Sequence, residues 1–253
     1  MTVIDPTPLP LAILIDYDGT ICRTAISDEI MIEDSIRPGW KVFDDMYVDG
    51  TLGSRQCFIE FLALLPADPE PLFATSDRQE HDLTFIPFVE RAREIGAALE
   101  IVSDGFGFYV GRNLARIGVP DLPIATARMT WSDVGPDLEF TYGHPTCFVC
   151  GTCKRERVLH YQARGFHVAF VGDGLSDRYA AVHADTVVAK DHLVVICEET
   201  GIPYVPWRTF DDVRAWLDRI AADPGSLAAP RKRPYTCGPE ARGPGRTVPP
   251  REG

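Results

Sequence analysis

The sequence predicts an α/β protein built on a doubly wound, mostly parallel sheet. Three observations carry this expectation. Short apolar runs alternate with segments of helical periodicity through most of the chain. Gly96, Gly118 and Gly165 each close a helical segment. Acidic, glycine-containing turns follow two of the apolar runs, at Asp16-Tyr17-Asp18-Gly19-Thr20 and Gly172-Asp173-Gly174-Leu175-Ser176-Asp177. An open α/β sheet binds its ligands at such strand ends.

Leu11–Ile15 is wholly apolar and reads as the first strand, buried on both faces. From Ile21 to about Thr84 no buried strand appears. Arg55–Leu65 has helical spacing (Phe58, Phe61, Leu62, Leu65), and Glu70–Ala74 starts another helix. A stretch of that length is too long for an ordinary crossover and reads as an inserted helical cap. The pattern then resumes with helix Phe85–Gly96, strand Ala98–Ser103, helix Phe106–Ile117 and strand Leu122–Ala127. Leu138–Tyr142 alternates as half of a hairpin. Helix Lys154–Arg164, strand Val168–Gly172, helix Asp177–His183, strand Thr186–Ala189 and helix Phe210–Ala222 complete the order. The expected division is a discontinuous core (1–21 and 85–223), a cap (22–84) and a disordered tail (224–253). The tail holds seven prolines, five glycines and a net charge of +4.

The chain has 253 residues, 45% of them hydrophobic, enough for one sizeable core and a small second unit. A formal net charge of −12 argues against a nucleic-acid partner. No apolar run approaches a membrane span, which argues against a membrane partner. Residues 1–10 lack the pattern of a signal peptide, so the expected location is cytoplasmic. No feature of the sequence assigns an oligomeric state.

The chemistry begins with Asp16 and Asp18. Two residues apart at a strand end, they point the same way on a continuing strand. Such a pair is costly unless a cation or a proton neutralises it. Ser103-Asp104-Gly105 ends the second strand. Its hydroxyl and turn amides either hold an anion or cap the helix that follows. Lys154 opens a helix, where its charge opposes the helix dipole. It is either a solvated surface lysine or the partner of a phosphate. Asp173 and Asp177 bring further acids to a strand end, and all-oxygen ligation of this kind suits Mg²⁺. Cys147, Cys150 and Cys153 offer three thiolates, with His144 nearest as a fourth ligand. They form either a zinc site or a tight turn that places Lys154.

The four segments together, in this order and strand context, resemble the haloacid dehalogenase-like (HAD) superfamily over Leu11 to Ala222. The resemblance implies a Rossmann-like core with a C1-type cap, as in the phosphoserine phosphatase-like branch. It implies a Mg²⁺-dependent phosphomonoester hydrolase that works through an aspartyl-phosphate on a small phosphorylated metabolite. By the same resemblance Asp16 is the nucleophile. Asp18 is the general acid and base, and its carbonyl joins Asp16 and Asp173 around the metal. Ser103, with Asp104 and Gly105, holds the phosphate; Lys154 steadies phosphate and nucleophile; Asp177 supports metal and lysine. The segment Cys147–Lys154 resembles the methionine-salvage and phosphoethanolamine-phosphocholine phosphatases of that branch. Ala25 and Glu60 stand where phosphoserine phosphatases carry a substrate-reading Glu and Arg. Phosphoserine hydrolysis, phosphoryl transfer to an alcohol, and a silent phospho-ligand or zinc-stabilised binding module are the competing readings. Arg23, Asp28, Glu29, Trp40, Arg55 and Glu60 are the cap residues expected to meet the substrate.

Overall fold

A computed structural model describes residues 10–227. The expectations for residues 1–9, and for most of the tail, lie outside this range. Strand β1 (Leu11–Ile15) is buried at every position and enters the sheet centre. Alternate side chains serve opposite faces: Ile13 and Ile15 join one apolar cluster, Ala12 and Leu14 the other. Full burial of each large side chain here contributes about 1.5–3 kcal/mol.

The chain then leaves the core for four helices: α1 (Ile26–Asp34), α2 (Trp40–Val48), α3 (Ser54–Leu62) and α4 (Glu70–Asp77). Helix α1 packs on α4, and α2 on α3. An antiparallel bridge between Cys22 and His81 joins the two ends of this excursion. Helix α4 is also tied to the core, since Asp77 receives both Nε and Nη2 of Arg112 at 2.7 Å.

After α5 (Phe85–Glu94) come β2 (Ala98–Val102), α6 (Phe108–Arg116) and the short edge strand β3 (Ile124–Ala125). The hairpin β4 (Arg128–Ser132) and β5 (Gly135–Glu139) forms a separate antiparallel ribbon. Next are α7 (Lys154–Ala163), β6 (His167–Gly172), α8 (Arg178–His183) and β7 (Thr186–Ala189). Helix α9 (Asp191–Thr200), strand β8 (Val205–Pro206) and α10 (Phe210–Ala222) complete the core. A single 3₁₀ turn at Pro224–Ser226 follows, and Leu227 packs against the core, so order extends into residues expected to start the tail.

The main sheet runs β3-β2-β1-β6-β7-β8, all parallel. The order reverses beside β1: β2 lies on one side and β6 on the other. The crevice between the carboxyl ends of β1 and β6 is therefore the switch point where such sheets bind ligands. The first residue beyond β1 is held there by its amide, which donates from Asp16 to the Val171 carbonyl at 2.9 Å.

One charge lies within the sheet itself. Glu100 on β2 is 4% exposed and takes a forked contact from Arg157 of α7, at 2.9 to 3.1 Å. Removing one member of such a pair strands the other. Arg157→Leu is expected to lower the unfolding free energy by about 3 kcal/mol in urea titration. A loss under about 1 kcal/mol is what a solvated pair would give instead.

Candidate active site

Asp16 emerges from β1 into a crevice where it is 4% exposed. Across the crevice, Lys154 is the first residue of α7 and only 2% exposed. Its Nζ donates to Asp16 Oδ1 at 2.6 Å, Asp177 Oδ1 at 2.7 Å and Ser176 Oγ at 2.9 Å. The solvated reading of this lysine is therefore excluded. Burial works against its charge, but Asp16 and Asp177 override that and hold its pKa well above the usual range.

Asp177 organises the turn after β6. Its Oδ2 accepts the amides of Asp173 and Gly174, both at 3.0 Å. Asp173 is fixed in turn by Thr20, whose hydroxyl donates to Oδ1 at 2.7 Å. Gly19, at φ +73°, lets the Asp16–Thr20 turn close onto Asp173; a Cβ there would overlap the Asp173 carboxylate.

Asp16, Asp173 and Asp177 each bring a carboxylate oxygen within 4.8 Å of the others. Three carboxylates against one lysine leave a formal deficit of two positive charges. The deficit disfavours the ionised carboxylates. Burial, then repulsion from Asp177, pushes the Asp16 carboxyl well up. The same two causes push Asp173 up to about 6. A divalent cation removes the deficit, and hard oxygen donors suit one. Asp16 Oδ2 and Asp173 Oδ2 are the oxygens left for it by the hydrogen bonds to Lys154 and Thr20. Asp177 spends its oxygens on Lys154 and two amides, in keeping with a supporting part.

Asp18 faces the same cavity. Its Oδ1 accepts the Ile26 amide and its Oδ2 the Tyr109 hydroxyl, both at 2.8 Å. Burial nevertheless pushes its carboxyl up to about 6, against those two donors. Ser103 is fully buried at the end of β2, and its Oγ accepts the Gly105 amide at 3.1 Å. It does not cap α6, which starts only at Phe108 after Gly107. Gly105 of this turn lines the same cavity as Asp16 and Asp18.

Asp104 lines the same cavity as Asp16 and Asp18. Its carboxylate accepts the Thr152 amide at 2.6 Å and a short hydrogen bond from Ser54 of α3. It thereby fastens the inserted helices and the lysine-bearing loop to the turn after β2. Among the described residues, the only cluster of three or more His, Cys, Asp or Glu side chains with metal-holding spacing is Asp16, Asp173 and Asp177. Cys147, Cys150 and Cys153 are not joined in disulfides. Their loop is a tight turn, with the Cys153 amide on the Tyr142 carbonyl at 2.8 Å, that delivers Lys154.

Of the cap residues expected to meet a substrate, Asp28 alone lines the cavity. Arg55 instead stacks its guanidinium over Phe140 and Phe148, 4.7 and 5.1 Å from the ring centres. The structure adds four residues that the sequence reading did not assign: Thr20, Ser54, Tyr109 and Ser176. Thr20 and Ser176 lay inside the quoted turns, whereas Ser54 and Tyr109 carried no sequence signal.

A buried lysine, a carboxylate cluster short of one divalent cation, and a serine turn at a sheet switch point define an α/β enzyme for phosphate esters. No protein-family model matches the chain. It is 31% identical over 222 residues to a 2-hydroxy-3-keto-5-methylthiopentenyl-1-phosphate phosphatase of Geobacillus kaustophilus, covering 83% of this chain and 96% of that one. A protein of the same name from an Exiguobacterium species is 26% identical, covering 82% and 97%. A solved phosphoserine phosphatase, a phospho-aspartyl intermediate analogue, shares the fold at TM-score 0.63 and 19% identity, covering 82% and 99%. The chain belongs to the haloacid dehalogenase-like superfamily, in its phosphoserine phosphatase-like branch, and is a phosphatase. No helix among the described residues is long and apolar enough to cross a membrane.

Proposed function

We propose that the chain hydrolyses the phosphate ester of a small cytoplasmic metabolite in two steps, with Mg²⁺ as its divalent cation. The observation that carries this reading is the buried Lys154 amine bonded at once to Asp16 and Asp177. It holds the nucleophile and leaves the second Asp16 oxygen directed at the crevice. In the first step Asp16 attacks phosphorus as the bond to the ester oxygen breaks, and Asp18 gives that oxygen its proton. In the second, Asp18 takes a proton from water as the water oxygen attacks the aspartyl-phosphate. Inorganic phosphate leaves, and Asp16 is restored. Ser103 and the Gly105 turn hold phosphate oxygens, and Lys154 offsets their charge. Mg²⁺, bound through Asp16, Asp173 and the Asp18 carbonyl with support from Asp177, would neutralise phosphate and nucleophile so that they can meet.

Residues 22–84 serve as the cap over a core whose described parts are 10–21 and 85–223. The cavity is about 250 Å³, and its cap side includes Ala25, Val48, Cys57, Phe58 and Phe61. That lining supports a small substrate with an apolar part, as the names of the curated relatives describe for theirs. Among the described residues, no Lys or Arg lines the cavity to receive a serine carboxylate, which weighs against phosphoserine. The formal charge of −12 supports a metabolite enzyme rather than one docked on nucleic acid or an anionic membrane.

Phosphate release from a panel of phosphorylated metabolites, with alcohols added as competing acceptors, tests the reading. Hydrolysis is expected, silenced by EDTA and restored by excess Mg²⁺. Undiminished turnover in EDTA contradicts it, and phosphorylated alcohols as the main product would make the chain a phosphotransferase.

A further inference from the structure

Asp18 is gripped from two sides by groups of different origin. The Ile26 amide, at the start of α1 in the inserted helices, holds Oδ1, while the Tyr109 phenol, on α6 of the core, holds Oδ2. Tyr109 is 0% exposed, with its ring centre 5.9 Å from that of Tyr17 and 5.2 Å from that of Phe108. A phenylalanine would fill such a position without the cost of burying a hydroxyl, so the hydroxyl is there for its partner. The surrounding backbone makes room for it as well. A Cβ at Gly105 would overlap the Tyr109 hydroxyl oxygen and come within 2.8 Å of Asp18 Oδ2.

We propose that Tyr109 is a positioning residue for proton transfer, fixing the Asp18 carboxyl toward the ester oxygen that leaves. The proposal rests on the reading of Asp18 as general acid and base. One donor on each oxygen stops rotation of the carboxyl about its Cβ–Cγ bond. Each oxygen still has a lone pair free, so Asp18 can carry the transferred proton while Tyr109 stays bonded. Without the phenol, the Ile26 amide and the Ser103 hydroxyl are left to orient the carboxyl, and the proton donor is held less firmly along the scissile bond.

The test is Tyr109→Phe in the full chain with Mg²⁺, assayed on two esters. p-Nitrophenyl phosphate releases a phenolate that leaves without a proton. Glycerol 2-phosphate releases an alkoxide that needs one. The value of kcat/KM reports steps up to loss of the alcohol, so it isolates the acid role. It is expected to fall about 10- to 100-fold on glycerol 2-phosphate, and less than about threefold on p-nitrophenyl phosphate. Breakdown of the phosphoenzyme still needs Asp18 as base, so a pre-steady-state burst of p-nitrophenolate is expected in the variant. The ratio of the two kcat/KM values does not depend on the folded fraction, so partial unfolding cannot mimic the result. Equal losses on both esters, or no loss on either, overturn the proposal. Asp18→Asn separates the two levels. If it discriminates between the esters and Tyr109→Phe does not, only the role of Tyr109 falls. If Asp18→Asn does not discriminate, the acid-base reading itself fails.

Discussion

Asp16→Asn is expected to remove turnover by about 10⁴-fold or more while the protein stays folded. The carboxamide has the shape of the carboxylate, and its oxygen still accepts from Lys154, but its nitrogen cannot attack phosphorus. Stability is expected to hold or rise. Burial and Asp177 push the Asp16 carboxyl well above its ordinary value, so its ionised form costs folding free energy at neutral pH. A neutral side chain avoids that cost. Phosphate release and a thermal melt measure both effects. Turnover within about tenfold of the parent protein would rule out Asp16 as nucleophile.

Lys154→Met is expected to damage both activity and fold. The amine is bonded to two buried carboxylates and one hydroxyl. Its loss leaves Asp16 and Asp177 without their counter-charge at 2.6 and 2.7 Å, beside the further carboxylate of Asp173. Breaking a buried pair in this way costs about 3–5 kcal/mol. Loss of a preorganised cation at the reacting phosphate costs about 10²- to 10³-fold in kcat. Urea unfolding with and without Mg²⁺ separates these effects. The variant is expected to be much weaker without the ion and partly rescued with it, because a bound cation stabilises the native state by mass action. A loss below about 1 kcal/mol in metal-free buffer would mean that the carboxylates are not held charged together.

Much of this was legible because buried parallel strands write themselves as continuous apolar runs. Leu11–Ile15 and Thr186–Ala189 have the expected bounds, as does helix Phe210–Ala222. The acids followed from the same logic, since a charge directly after a buried strand needs a reason. Edges were less legible. Leu122–Ala127 shrank to Ile124–Ala125, because an edge strand is paired on one side only. Helices α1, α2 and α9 gave no usable periodicity. Helix α2 buries no side chain fully; its stripe of Trp40, Phe43 and Tyr47 packs against the core only in part. Helix α9 contains the run Leu193-Val194-Val195-Ile196-Cys197, which is β-rich in composition, yet it buries only Leu193 and Cys197, one helical turn apart. Strand β8 is two residues long.

At the site, pattern reading found residues that stand at strand ends and missed those that reach in from elsewhere. Tyr109 looks like any core aromatic on a helix until its hydroxyl is seen on Asp18. Ser54 looks like a helix-start serine until it is seen on Asp104. Asp104 has a second part that its place in the serine turn did not suggest: its carboxylate ties that turn to Ser54 and Thr152.

Acid-quench mass spectrometry of the enzyme caught during turnover tests Asp16 as the nucleophile. One phosphoryl group is expected on the peptide that contains Asp16, lost when Asp16 is replaced by Asn. A phosphoryl group on another residue, or turnover with no phosphorylated peptide under conditions that trap acyl-phosphates, would contradict it.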